Sequence, residues 1–160
     1  MTALFSSTAP IGRLAALLGY QFQPGRMILK LFAGIEAEDQ HIVPRDPNNS
    51  VQGSALGLRL QAESWFDLSE RLFLSADAAY GTAFQEYWSL VRLGYRIRPR
   101  VSLGIEGGAL GNEEYDAGRG GGFVRVNLRN FETTLSGGFT GNYLEDDPSF
   151  YVALGLYRPF

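Results

Sequence analysis

Tyr87-Trp88-Ser89-Leu90-Val91-Arg92-Leu93-Gly94-Tyr95-Arg96-Ile97 decides how the rest of this chain is read. Its odd positions from Val91 onward are Val91, Leu93, Tyr95 and Ile97, while Arg92 and Arg96 alternate with them. A period of two residues is the signature of a β-strand with two unlike faces, because successive side chains leave the backbone on opposite sides. One face here is wholly uncharged and carries wide rings and branched chains. The other holds arginine. The stretch is also about twice the usual globular strand of ~5–6 residues, and it matches the ~9–11 residues that cross a bilayer at a tilt.

The same pattern recurs on both sides. By strand and hairpin signals roughly nine segments run from Gly12 to the C-terminus: Gly12 to Gln23, Met27 to Asp39, Val51 to Phe66, Leu72 to Ala83, Glu86 to Ile97, Val101 to Leu110, Arg119 to Leu128, Phe131 to Tyr143, and Ser149 to Arg158. The connections Pro24 to Arg26, Asp67 to Arg71, Arg98 to Arg100 and Arg129 to Asn130 are short and rich in arginine. On the opposite edge Gln40 to Ser50, Gly111 to Gly118 and Leu144 to Pro148 are expected as longer loops, with Phe84 to Gln85 short. Those loops carry Asp46, Glu113, Glu114, Asp116, Glu145, Asp146 and Asp147 against Arg45. Short turns on one edge and long loops on the other are the habit of outer-membrane barrels.

Sorting each segment by parity gives one uncharged face, including Leu14, Leu18, Leu31, Ile35, Leu56, Leu58, Leu60, Val91, Leu93, Ile105, Val124, Leu135, Val152 and Leu154. The other face holds six bases, Lys30, Arg59, Arg92, Arg96, Arg119 and Arg125, against six acids, Glu36, Glu38, Glu63, Asp77, Glu106 and Glu132. In a water-soluble barrel such as a lipocalin the apolar face would be inward, and alternation alone cannot choose between the two arrangements. Segment length, loop parity and the terminal aromatic Phe160 favour lipid outside and charge inside. The fold expected is therefore all-β: an antiparallel up-and-down transmembrane β-barrel of outer-membrane type, with residues 1–160 as one domain. A polar network in the lumen is expected from Arg59, Glu63, Asp77, Arg92, Arg96, Glu106, Arg119, Arg125 and Glu132, with near-neutral charge and bulky side chains that leave little open bore.

Composition narrows the chemistry. The chain has 160 residues, 20 glycines, 13% aromatics, no cysteine and a net charge of -3. Without cysteine there are no disulfides or thiolate metal sites. Thirteen arginines and one lysine are scattered and form no basic block, so nucleic acid is not an expected partner. The most apolar window, Leu14 to Leu18, is far below the ~18 residues of a spanning helix. Met1 to Pro10 has neither a basic region nor an apolar run, so it does not read as a secretory signal.

Candidate chemistry is sparse. His41, the one histidine, follows Glu38-Asp39-Gln40 and has no second histidine or cysteine to share a zinc ion. Glu113-Glu114-Tyr115-Asp116 and Glu145-Asp146-Asp147 lack the regular ligand spacing of a calcium loop. Gly118-Arg119-Gly120-Gly121-Gly122 opens a strand, whereas a phosphate cradle opens a helix. A lipid-modifying enzyme would need a serine near His41, and none stands at a motif spacing. No catalytic residue, cofactor or metal is expected. Trp65, Trp88, Tyr80, Tyr87 and Tyr115 suit either an interfacial aromatic belt or stacking on sugar rings.

Several short pieces in order carry a resemblance: Leu18-Gly19-Tyr20-Gln21, Ala33-Gly34-Ile35-Glu36, Glu63-Ser64-Trp65, Tyr87-Trp88, Leu103-Gly104-Ile105-Glu106, Tyr115, Arg119-Gly120-Gly121-Gly122-Phe123-Val124 and Leu135-Ser136-Gly137-Gly138-Phe139. Over Gly12 to Phe160 the chain resembles the cellulose biosynthesis protein BcsS family. That resemblance implies an accessory of bacterial cellulose production or secretion, with outer-membrane lipid and cellulose or the cellulose-secretion components as partners. The alternative is a narrow porin or structural barrel with no tie to cellulose. The family is expected to carry a signal peptide and further strands upstream. Since bacterial single-chain barrels have even strand numbers, one or three more strands are expected, giving a barrel of about twelve.

Overall fold

The computed structural model describes residues 11–40, 53–129, 131–142 and 149–157. They form nine antiparallel strands in one sheet, each paired with its neighbours in chain order: β1 (Ile11–Phe22), β2 (Met27–Gln40), β3 (Gly53–Asp67), β4 (Leu72–Gly81), β5 (Tyr87–Arg98), β6 (Val101–Gly111), β7 (Asp116–Asn127), β8 (Glu132–Asn142) and β9 (Ser149–Tyr157). A single 3₁₀ turn, Ala83–Gln85, lies between β4 and β5. Strand lengths run from 9 residues in β9 to 15 in β3. The up-and-down order expected from the turns is what is found, and strand ends agree with the alternation to within a few residues.

One loop differs. The stretch Gly111 to Gly118 was expected to be a loop, yet β7 begins at Asp116, paired with Gly111. The turn closes early because the Asn112 amide donates to the Tyr115 carbonyl at 2.8 Å, while the Asn112 side chain accepts from the Glu114 amide at 2.9 Å. Local hydrogen bonding of an asparagine side chain thus shortens the connection. Length asymmetry between the two edges then rests on the segments from Gln40 to Gly53 and from Asn142 to Ser149. Their residues Arg45, Asp46, Glu145, Asp146 and Asp147, along with His41 and Phe160, lie outside the described residues.

The sheet is strongly curved, because side chains meet across strands that are not neighbours. Tyr151 of β9 donates to Glu106 of β6 at 2.9 Å, and Arg92 of β5 to Ser136 of β8 at 3.5 Å. Lys30 of β2 stands 5.7 Å from the ring centre of Tyr157 in β9, and Arg125 of β7 stands 5.1 Å from the ring of Trp65 in β3. The sheet remains open: β1 and β9 are its edges, with no pairing between them among the described residues.

Burial inverts the arrangement of a water-soluble sheet. On the convex face Leu18 is 82% exposed, Leu56 86% and Val152 80%, and Leu14, Ile35, Leu58, Ile105 and Leu154 are exposed beside them. The concave face buries Glu36, Glu38, Arg59, Glu106 and Arg125 together with Phe73 and Phe123. Charge is inside and hydrocarbon outside.

Glycine makes the tight curvature possible where inward side chains are wide. Gly94 and Gly104 are adjacent on β5 and β6, and the Phe73 ring lies over Gly94 where a Cβ would stand. A Cβ on Gly104 would strike the Leu93 carbonyl, the Gly94 backbone and the Phe123 ring. Glycine in a strand often marks such a bend or close approach. Gly107 looks outward, and the nearest atom to an added Cβ is the Arg119 carbonyl oxygen at 3.8 Å. Gly104→Ala is therefore expected to cost about 1–3 kcal/mol through overpacking, as read from urea unfolding. Gly107→Ala should stay within about 0.5 kcal/mol of the parent in the same assay.

Candidate functional site

Strand parity and register assemble the concave face into three polar groups. Near the short turns, Trp65 and Phe73 stack with ring centres 4.3 Å apart and planes 14° apart, and Phe123 tilts against Phe73 at 6.4 Å. Three guanidinium groups surround these rings. Arg125 lies 5.4 Å from Phe73 and 5.7 Å from Phe123, Arg96 lies 5.2 Å from Phe73, and Arg92 lies 5.5 Å from Phe123. Each is within reach of the negative face of a ring, an attraction worth about 2 kcal/mol or more when water is excluded. Arg125 also donates to Glu132 at 3.1 Å and to Thr134 at 3.3 Å, and Arg96 pairs with Asp67.

The middle group centres on Glu106. Arg92 stands directly opposite it in the β5–β6 register and donates through Nε at 2.7 Å. Ser136 donates to the same carboxylate at 3.0 Å, Tyr151 donates at 2.9 Å, and Arg119 lies 5.4 Å from the Tyr151 ring. The charge, 5% exposed at the residue level, is thus met by one cation and two hydroxyls from β5, β8 and β9. Register likewise sets Lys30 opposite Glu63, at 3.3 Å, and Glu63 opposite Asp77. Asp77 thus faces the like charge of Glu63 across the strand pair, with Arg92, Arg125 and Lys30 opposing it from farther off.

The third group lies toward the edge of longer connections. Glu36, 1% exposed, accepts from Arg59 at 3.0 Å and packs against Gly81. Arg13 reaches both Glu38, at 3.1 Å, and Glu86. Above it the segment from Thr82 to Glu86 folds inward: Thr82 exchanges hydrogen bonds with the Leu58 backbone, Ala83 is buried against Gly57, and Phe84 and Gln85 take φ of 55° and 50°. Two successive non-glycine residues in that region are uncommon and are held by their surroundings. Gln85 is fixed by Glu113 at 2.6 Å.

The residues expected to form the network therefore all stand on the concave side, but partners follow register and diagonal reach. Arg59 takes Glu36 rather than Glu63, and Arg96 takes Asp67. Arg13, Asp67, Ser136 and Tyr151 were not among the residues expected there. Parity could have found Arg13 and Asp67, since Arg13 alternates with Leu14 and Asp67 falls in phase with Arg59 and Glu63. No group of three or more histidine, cysteine, aspartate or glutamate residues able to hold a metal occurs among the described residues.

A buried carboxylate that loses its cation costs about 3–5 kcal/mol. Arg92→Ala is expected to destabilise by that order in urea unfolding, and Tyr151→Phe by about 1 kcal/mol. In a double-mutant cycle Arg92→Ala with Glu106→Ala should cost well under the sum of the single changes, because neither charge is then stranded.

A family model described as cellulose biosynthesis protein BcsS matches residues 3–160, nearly the whole chain. No curated protein and no solved structure matches it. The chain belongs to the cellulose biosynthesis protein BcsS family, and with that membership comes a role in cellulose biosynthesis.

Proposed function

We propose that this chain forms the wall of an outer-membrane β-barrel and serves cellulose production as an accessory, without being an enzyme and without being the polymer's own export channel. The observation that carries the reading is the inverted sheet: an exposed hydrocarbon face on the convex side and buried ion pairs on the concave side. In water this convex face would expose apolar surface on every strand, far beyond the few hundred Å2 usual for a soluble monomer. In a bilayer it is the favoured solvent, and strands of 9 to 15 residues are long enough to cross. Outer-membrane lipid is then the first partner. Cellulose or the components that secrete it are the second, on family grounds.

The open seam bears on the same reading. Lipid cannot satisfy the free backbone groups along β1 and β9, at several kcal/mol for each unsatisfied group. β1 and β9 run in the same direction, so an odd number of further antiparallel strands closes the ring to the even count of bacterial barrels.

The lumen favours an accessory over a conduit. A glucan chain needs an open path lined by flat sugar-binding surfaces, whereas Trp65, Phe73 and Phe123 here are covered by Arg92, Arg96 and Arg125. Loss of the gene should lower cellulase-sensitive cellulose at the cell surface; unchanged cellulose would refute the accessory role.

The protein should fractionate with the outer membrane, and Leu58→Arg should weaken insertion into vesicles by about 2–4 kcal/mol if it lies at mid-bilayer. Solubility of the full chain without detergent would overturn the membrane assignment. In planar-bilayer recording the protein should be nearly silent and become leaky with Arg92→Ala and Arg125→Ala together. Steady conductance in the parent would contradict a filled lumen.

A further inference from the structure

The short-turn edge carries a feature that neither the lumen nor the apolar wall explains. Arg26 lies in the β1–β2 turn, Arg71 in the β3–β4 turn, Arg98 and Arg100 at the β5–β6 turn and Arg129 in the β7–β8 turn. All five are exposed. Every turn on this edge thus presents at least one guanidinium. The acids nearby do not balance them: Asp67, which pairs with Arg96 and also faces Arg26, and Glu70 are two carboxylates beside five rim cations.

The spacing says what kind of ligand fits. Neighbouring turns on one edge are two strands apart, about 10 Å along the curved rim. A compact anion can touch one turn only. A plane of anions can touch them all. Arginine is suited to such a plane, because its planar fork binds phosphate oxygens in pairs and keeps its charge. A neutral glucan offers no charge that would select five arginines.

The wall beside the rim points the same way. Phe22, Tyr95, Ile97 and Leu128 are exposed at this end of the sheet, and Arg71 donates to the Tyr95 hydroxyl at 3.3 Å. That bond lays a rim arginine along the convex wall, where an interfacial tyrosine meets headgroups in a bilayer. Between the first two turns, a cleft of about 370 Å3 lined by Arg26, Asp67, Ser69, Glu70 and Arg96 opens at the rim; its two carboxylates balance its two arginines, so anions are expected at the arginines around it and not within it.

We propose that this arginine rim binds the phosphate groups of anionic lipid headgroups at one surface of the bilayer, fixing the depth and orientation of the barrel. The proposal rests on the membrane reading above and adds a lipid class and the residues that select it.

The test is urea unfolding of the closed barrel, this chain together with the strands that complete its seam, refolded into vesicles of phosphatidylcholine alone or of phosphatidylcholine with phosphatidylglycerol. Phosphatidylglycerol is expected to raise the folding equilibrium constant at low salt, by up to about fivefold for each rim arginine engaged, and the gain should fade as salt rises. Arg26→Gln, Arg71→Gln, Arg98→Gln, Arg100→Gln and Arg129→Gln in one variant should abolish that gain and still insert into phosphatidylcholine. Arg100→Gln with Arg129→Gln, a smaller change, should remove part of it. An undiminished gain in both variants overturns the lipid assignment. So does a gain that sodium phosphate reproduces in phosphatidylcholine vesicles, since the ligand would then be free phosphate. Failure to insert into either vesicle overturns the membrane reading instead, so the two failures are distinguishable.

Discussion

The carboxylate of Glu106 holds this sheet in its curved form. Its pairing with Arg92 is between adjacent strands and would survive in a flat sheet, but its bonds to Ser136 and Tyr151 would not. β8 and β9 must fold back over β6 for those hydroxyls to arrive. A buried charge with only one partner is costly, and hydrogen bonds to the remaining lone pairs reduce that cost. Curvature and charge satisfaction are therefore one requirement. The same logic places Arg125 of β7 over Trp65 of β3, four strand pairings away along the sheet but close across the concave side.

Wide rings and absent side chains divide the work of filling that interior. Phe73 is fully buried because Gly94 leaves room for its ring, and Phe123 has Gly104 beneath it. Aromatic faces then supply the guanidinium groups with a second kind of partner besides carboxylates. Arg125 uses both kinds, with Glu132 at 3.1 Å and three rings within 6 Å. An interior of this kind is a packed polar core.

The two edges of the sheet have different chemistry. Along one, every turn bears arginine; along the other, the connections bear Glu86, Glu113 and Glu114, with Asp116 opening β7 beside them. Within the sheet the charges interleave and largely cancel, so the polarity of the molecule is concentrated at its ends. A body with an apolar waist and two unlike polar ends has one preferred orientation at any asymmetric boundary.

Much of this was legible in the chain. Alternation in segments such as Val91 to Ile97 determined strand identity, because a period of two leaves only one backbone geometry that keeps arginine and leucine on separate sides. Turn residues determined strand order, since short connections force antiparallel neighbours. What alternation could not determine was which face is inward, because parity is the same for a sheet and its inverse. Only curvature decides that, and curvature comes from contacts between distant strands such as Tyr151 and Glu106. Ion-pair partners were likewise beyond the sequence: Arg59 meets Glu36 because the β2–β3 register and a diagonal reach bring them within 3.0 Å. Charge type is a property of the residue, but pairing is a property of the register, and register is set by the whole sheet.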